Sequence, residues 1–176
     1  QLISKPDNLK TVEPAFGPDS RFIWFAQRTA AWNYNAQLPQ YQLAVYDRDN
    51  GEVEVKTARY GSAFTPVLSP NGSFLVYGSR YNDQTGLILR DLKSGDEKWM
   101  AYPVQRDEQE SIAPMGVLPA MSFTPDSKEV VASYGGKFYR IPVAGGNAIN
   151  IPFEMDTELL LGARVDFKYP IKDEKE

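Results

Sequence analysis

Apolar residues in this chain gather in short runs rich in β-branched and aromatic side chains, without the three-to-four spacing of a helical stripe. Three of these runs, Phe22-Ile23-Trp24-Phe25-Ala26, Phe74-Leu75-Val76-Tyr77 and Val130-Val131-Ala132, follow closely on a shared turn. The turn reads Phe16-Gly17-Pro18-Asp19-Ser20, then Leu68-Ser69-Pro70-Asn71-Gly72, then Phe123-Thr124-Pro125-Asp126-Ser127, with the prolines 52 and then 55 residues apart. Proline presets φ at the second turn position and Asp or Asn suits the next, so each unit predicts a hairpin corner. Runs that are apolar on both faces predict strands covered on both sides.

A second mark recurs further along each unit. Leu43-Ala44-Val45-Tyr46-Asp47 leads to Asn50-Gly51, Leu87-Ile88-Leu89-Arg90-Asp91 to Ser94-Gly95, and Phe138-Tyr139-Arg140-Ile141 to Gly145-Gly146. Each predicts a strand entering a glycine-containing hairpin loop, and an alternating stretch follows every one. The order is therefore strand, Pro-Asx turn, strand, variable loop, strand, Gly turn, strand. Four antiparallel strands repeating every ~40–55 residues predict propeller blades. The expected fold is all-β: a partial β-propeller with three four-stranded antiparallel blades at about 12–58, 63–102 and 118–154, plus an extra strand at the C-terminus. The whole of 1–176 reads as one such segment, with 155–176 beginning the next blade or a linker; Val165-Asp166-Phe167-Lys168-Tyr169-Pro170-Ile171 alternates as a strand would. An antiparallel sandwich with coincidentally similar turns is the competing reading.

Three blades do not close a ring that usually needs four to eight. Each terminal blade is therefore expected to bare an apolar face, covered by remaining blades of a longer parent chain or by a second copy. The chain opens at Gln1 and not at Met, which points to sequence upstream.

Two insertions interrupt the repeat: Thr29 to Gln40, carrying Trp32 and Tyr34, and Pro103 to Pro119, carrying Arg106, Asp107 and Glu108. Insertions at a rim are where function is commonly grafted, so these five residues are the candidate interaction surface. Asp107, Glu108 and Glu110 lack the spacing and central glycine of a calcium loop and read as a solvated run.

Composition narrows the chemistry. The 176 residues include no histidine and no cysteine, which removes the histidine triad, histidine metal sites, thiolate nucleophiles and disulfides. Nineteen basic against 23 acidic residues give a net charge of −4, with no basic footprint for nucleic acid, and no apolar run is long enough to insert in a membrane. Asp47 and Asp91 occupy equivalent strand ends and read as turn-capping carboxylates, not as an opposed acid-base pair. Gly135-Gly136 and Gly145-Gly146 read as hairpin turns, because neither opens a helix or carries the Lys-Ser/Thr of a phosphate loop. Asn71-Gly72-Ser73 matches a glycosylation sequon but coincides with the blade turn. Trp24, Trp99 and most tyrosines fall in strands, where packing between blades is expected. No catalytic residue, cofactor or metal ligand is expected in this segment, and its partners are expected to be protein.

The stretches Pro14-Ala15-Phe16-Gly17-Pro18-Asp19-Ser20 and Pro66-Val67-Leu68-Ser69-Pro70-Asn71-Gly72 resemble the repeat of TolB-type β-propellers. Tyr102 to Ser111, Ser122 to Lys128, Ala132 to Lys137 and Val165 to Pro170 resemble the propeller that precedes the catalytic barrel in large exported amidohydrolase-family proteins. The resemblance implies a periplasmic or secreted protein and a non-catalytic accessory propeller, whose hydrolytic metal site would lie in a separate barrel built on histidines and carboxylates. This chain has no histidine, so no position carries that site over. A stand-alone TolB-like envelope protein that binds other proteins, or the gating propeller of a serine peptidase, would use the same blades.

Overall fold

The computed structural model describes residues 10–31, 37–106, 120–162 and 166. Among the described residues, twelve strands form three separate four-stranded antiparallel sheets, each in sequential order. Blade 1 holds β1 (Thr11–Phe16), β2 (Phe22–Arg28), β3 (Tyr41–Asp47) and β4 (Val53–Val55). Blade 2 holds β5 (Phe64–Leu68), β6 (Phe74–Tyr81), β7 (Gln84–Asp91) and β8 (Glu97–Arg106), and blade 3 holds β9 (Met121–Phe123), β10 (Glu129–Tyr134), β11 (Lys137–Pro142) and β12 (Ile149–Ile151). There is no helix among the described residues. The first strands of successive blades meet, β1 against β5 and β5 against β9, which places them on the inside of the stack.

The Pro-Asx corners are one structure built three times. The N–H of Gly17, Ser69 and Thr124 donates to the carbonyl five residues on, and the N–H of Ser20, Gly72 and Ser127 donates back three residues. That last position is left-handed in each turn (φ 55°, 72° and 61°). The carboxylate or amide oxygen of Asp19, Asn71 and Asp126 accepts the N–H two residues ahead, which is the mechanical reason the position is Asx. Ser69 and Thr124 add a hydroxyl that donates to that oxygen and accepts the N–H of Phe74 or Glu129. Gly17 has no hydroxyl to do so. The glycine turns repeat as well: Gly51 and Gly95 donate to the carbonyls of Asp47 and Asp91, and Gly145 to that of Pro142 in a loop one residue shorter.

Because a strand presents alternate residues to opposite faces, the repeat gives every blade a rear face, toward the preceding blade, and a forward face, toward the next. Between blades 1 and 2 the core joins Trp24, Ala26, Leu43 and Val45 to Phe64, Leu75, Tyr77 and Ile88. Between blades 2 and 3 it joins Val76, Leu87 and Leu89 to Phe123, Val130, Ala132 and Ile141. Blade 2 is therefore buried on both faces, which accounts for its unalternating apolar strands.

Two expectations need correction. Pro103 to Arg106 belongs to β8 and not to an insertion, since Thr85 and Gln84 pair with Gln105 and Arg106 beyond a register shift that lets the long edge strand follow β7 to its start. Trp99 is not a core residue. It is 37% exposed on an outer strand, against Tyr102 at 4.9 Å between ring centroids. The rear face of blade 1 is covered at its centre, where Ile23, Phe25 and Ala44 are buried, and bare toward both sheet edges, where Phe16, Val53 and Val55 are exposed. The alternating tail at 165–171 lies outside the described residues except Asp166, and 152–162 has no regular secondary structure.

Candidate interaction surface

Of the five residues expected to form a contact surface, Trp32, Tyr34, Asp107 and Glu108 lie outside the described residues. Arg106 is the last residue of β8, with its backbone opposite Gln84. The base of the first insertion is defined: the Thr29 N–H donates to the Gln40 carbonyl, the Thr29 hydroxyl to the Pro39 carbonyl, and the Gln40 N–H to Ser62 Oγ at 2.8 Å. The insertion thus springs from a closed neck tied to the linker that leads into blade 2.

The carboxylates singled out by position have structural work. Asp91 Oδ1 accepts the N–H groups of Lys93 and Ser94, which hold its carboxyl below the usual carboxylate range. Asp47 does the same with Asp49 and also takes a two-pronged contact from Arg21, Nε to Oδ1 at 2.9 Å and Nη2 to Oδ2 at 2.6 Å. The Arg21 guanidinium is the main cause of its lowered pKa. Both are caps of glycine turns, as expected. Among the described residues no group of three or more acidic side chains is placed to hold a metal ion.

An unforeseen polar hub sits between blades 1 and 2. Glu97 accepts from the Tyr77 hydroxyl at 2.7 Å, from Arg90 Nη1 at 3.1 Å and from Arg59 Nη1 at 3.0 Å, while Arg90 Nη1 also reaches the Lys56 carbonyl. Burial, then the Glu97 contact, push the Tyr77 hydroxyl far above its ordinary pKa. The hub fastens the inter-blade linker to blade 2.

The forward face of blade 3 is open. Superposing the repeats on Pro18, Pro70 and Pro125 makes Glu129 the equivalent of Phe22 and Phe74, and Arg140 the equivalent of Val45 and Leu89. The apolar pair that seals the turn-side end of the first two forward faces is thus replaced by an ion pair, with Arg140 Nε donating to Glu129 Oε2 at 2.8 Å and Nη2 to the same oxygen. Toward the outer strands the face is apolar and uncovered: Phe138 is 41% and Ile149 56% exposed. Phe153, just past β12, turns its ring onto Phe138 edge-on at 5.1 Å. In blade 2 the equivalent of Phe138, Leu87, is wholly buried. A groove of about 1090 Å³ also opens on the turn rim between blades 2 and 3, with Phe74 and Leu89 as its floor and Asp91, Asp96, Lys98 and Lys128 among its walls.

Antiparallel four-stranded blades packed face to face, with their first strands inward, define a β-propeller. More narrowly, the propeller is TolB-like. TolB from Acinetobacter baumannii matches with a TM-score of 0.63 and 21% identity over 87% of this chain. The β-propeller domain of the trilobed protease from Pyrococcus furiosus matches at 0.53 and 13% over 82%, and the acylaminoacyl peptidase of Pyrococcus horikoshii at 0.54 and 14% over 80%. This chain spans 34%, 43% and 24% of those three chains. No family model and no curated protein matches it. At such identities the likeness shows the fold alone.

Proposed function

We propose that the chain is the scaffold and protein-binding part of a larger TolB-like propeller, with any catalytic centre of the parent protein elsewhere. The observation that carries this reading is the forward face of blade 3, where Phe138 stands exposed at a position whose counterpart in blade 2, Leu87, is wholly buried, with Ile149 exposed beside it. Its natural cover is a further blade. A second copy stacked head to tail is the alternative cover, since the rear face it would offer is buried at Ile23, Phe25 and Ala44 and exposed at Phe16, Val53 and Val55.

For the parent we favour an exported amidohydrolase-like protein in which this propeller precedes a metal-dependent barrel, supported by the resemblance of Tyr102 to Ser111 and Ser122 to Lys128. Export to the periplasm or beyond fits this reading, and no helix among the described residues is long and apolar enough to cross a membrane. A serine-peptidase gate is the second reading, favoured by the peptidases among the structural neighbours. The complete reading frame separates them. Further blades followed by a barrel with a paired-histidine strand motif are expected; a Gly-x-Ser-x-Gly elbow after a strand would establish the peptidase instead. A frame with neither further blades nor a second domain would overturn the proposal.

A further inference from the structure

Two residues break the repeat at one place. Counted from the turn prolines and the strand pairings, Trp24 is equivalent to Val76 and Val131, and Arg90 to Tyr46 and Ile141. The other two blades form without an indole or a guanidinium at these positions, so blade formation does not require them. Both line a cavity of about 370 Å³ that opens on the turn rim between blades 1 and 2, within the size range of small-molecule sites. Phe22, Val45, Leu68 and Leu92 supply its apolar walls, and Lys56 joins Arg90 as a second cation.

The side chains that break the repeat are donors. Arg90 spends Nη1 on Glu97 and on the Lys56 carbonyl, while Nε and Nη2 meet no acceptor among the described residues. Those two nitrogens form one edge of the guanidinium, the edge that takes a carboxylate through two parallel bonds. The Trp24 indole N–H likewise has no acceptor among the described residues and is not sealed from solvent. Charge points the same way. Glu97 is shared between Arg59 and Arg90, so two guanidinium groups carry one positive charge more than that carboxylate answers, and Lys56 is met by the exposed Glu54. Asp19, the acidic residue on the cavity wall among the described residues, lies on the exposed Pro-Asx turn and accepts the Arg21 N–H. An inorganic anion would leave the apolar walls wet, and a hydrocarbon would leave the donors unanswered.

We propose that this cavity binds a small organic monoanion with an apolar body the size of an aromatic ring. Its carboxylate is held by the free edge of Arg90, with Lys56 as a second cation, and its body packs against Trp24, Val45 and Leu68. Asp19 at the lip disfavours a second negative charge on the ligand. Both blades belong to this chain, so the site does not depend on what covers blade 3.

Two measurements with para-bromophenylacetate test it. Co-crystals should show an anomalous bromine peak in the cavity between blades 1 and 2, with the carboxylate at Arg90. Titration calorimetry should give a dissociation constant of about a millimolar or lower, with the neutral para-bromophenylacetamide weaker by about tenfold or more and inorganic phosphate failing to compete. Arg90→Gln should weaken the acid by about tenfold or more and narrow its preference over the amide, whereas Lys93→Gln, at an exposed turn lysine outside the cavity, should change neither. If Arg90→Gln does not fold, the bromine map and the acid-to-amide ratio of the unaltered protein decide. Bromine absent from this cavity overturns the proposal, as does equal affinity for acid and amide, or a preference for the acid that survives Arg90→Gln undiminished.

Discussion

The hub at Glu97 makes a quantitative prediction about how blades 1 and 2 are held together. Tyr77 is fully buried and its hydroxyl donates to Glu97 at 2.7 Å, while Arg59 and Arg90 occupy the same carboxylate. A hydrogen bond to a charged acceptor contributes about 1.5–3 kcal/mol when shielded; with the Glu97 side chain 22% exposed, solvent screening lowers this to about 1–2 kcal/mol. Tyr77→Phe should therefore cost about 1–2 kcal/mol. Glu97→Ala leaves a buried hydroxyl unpaired and takes the carboxylate from two guanidinium groups, which keep only Ser79 Oγ and the Lys56 carbonyl, and should cost about 2–4 kcal/mol. In the double variant the hydroxyl is already gone, so the losses should fall short of additivity by about 1–2 kcal/mol. Urea unfolding of the four proteins measures this, provided the slopes agree. Because the folded state holds the Tyr77 proton more tightly than the unfolded chain, stability should also decline as pH rises above the ordinary tyrosine value of about 10, and Tyr77→Phe should remove that part of the alkaline loss. Losses that add within about 0.3–0.5 kcal/mol would refute the hub as a coupled unit.

Three further outcomes follow from the repeat. Gly17→Ser should stabilise the protein by about 0.5–1 kcal/mol in thermal or urea unfolding, because the serine supplies the turn hydroxyl that Ser69 and Thr124 provide and its Cβ would lie 3.5 Å from Asp19 Oδ1 without a clash. Gly86→Ala should cost at least about 2 kcal/mol in the same assay, since the new Cβ would sit 2.8 Å from the Ala101 carbonyl oxygen, a backbone atom that cannot step aside. Burial raises the Glu13 pKa. The folded state therefore binds this proton more tightly, stability from the group is present below the unfolded value of about 4.3 and is lost as pH rises through the raised value. Glu13→Gln should flatten that limb of the stability-pH curve.

Much of the fold was legible because its determinants are local. A Pro-Asx-small turn encodes its own hydrogen bonds within five residues, and the glycine turns behave likewise, so strand order and blade count followed from spacing. The same locality explains why Asp47, Asp91 and Asn71 read correctly as turn residues. What stayed hidden is non-local. Glu97 gathers Tyr77, Arg90 and, across 38 positions, Arg59, and no periodicity brings those residues together. Trp99 looked like core because aromatic content alone does not tell an inner strand from an outer one. The exceptional face of blade 3 did leave a signal: aligning the three prolines sets Glu129 against Phe22 and Phe74, and Arg140 against Val45 and Leu89. Charge at a position otherwise apolar in the repeat marks a face with a different neighbour. The residues expected at the rims, Trp32, Tyr34, Asp107 and Glu108, lie outside the described residues.

The central claim is that the forward face of blade 3 is an interface awaiting a neighbour. The chain has no cysteine, so a single Ser133→Cys, opposite Phe138 on that face, reports its accessibility by maleimide labelling. The account predicts ready labelling of the 176-residue chain and at least tenfold slower labelling of the same position within the product of the complete reading frame. Equal labelling rates in the two would contradict it.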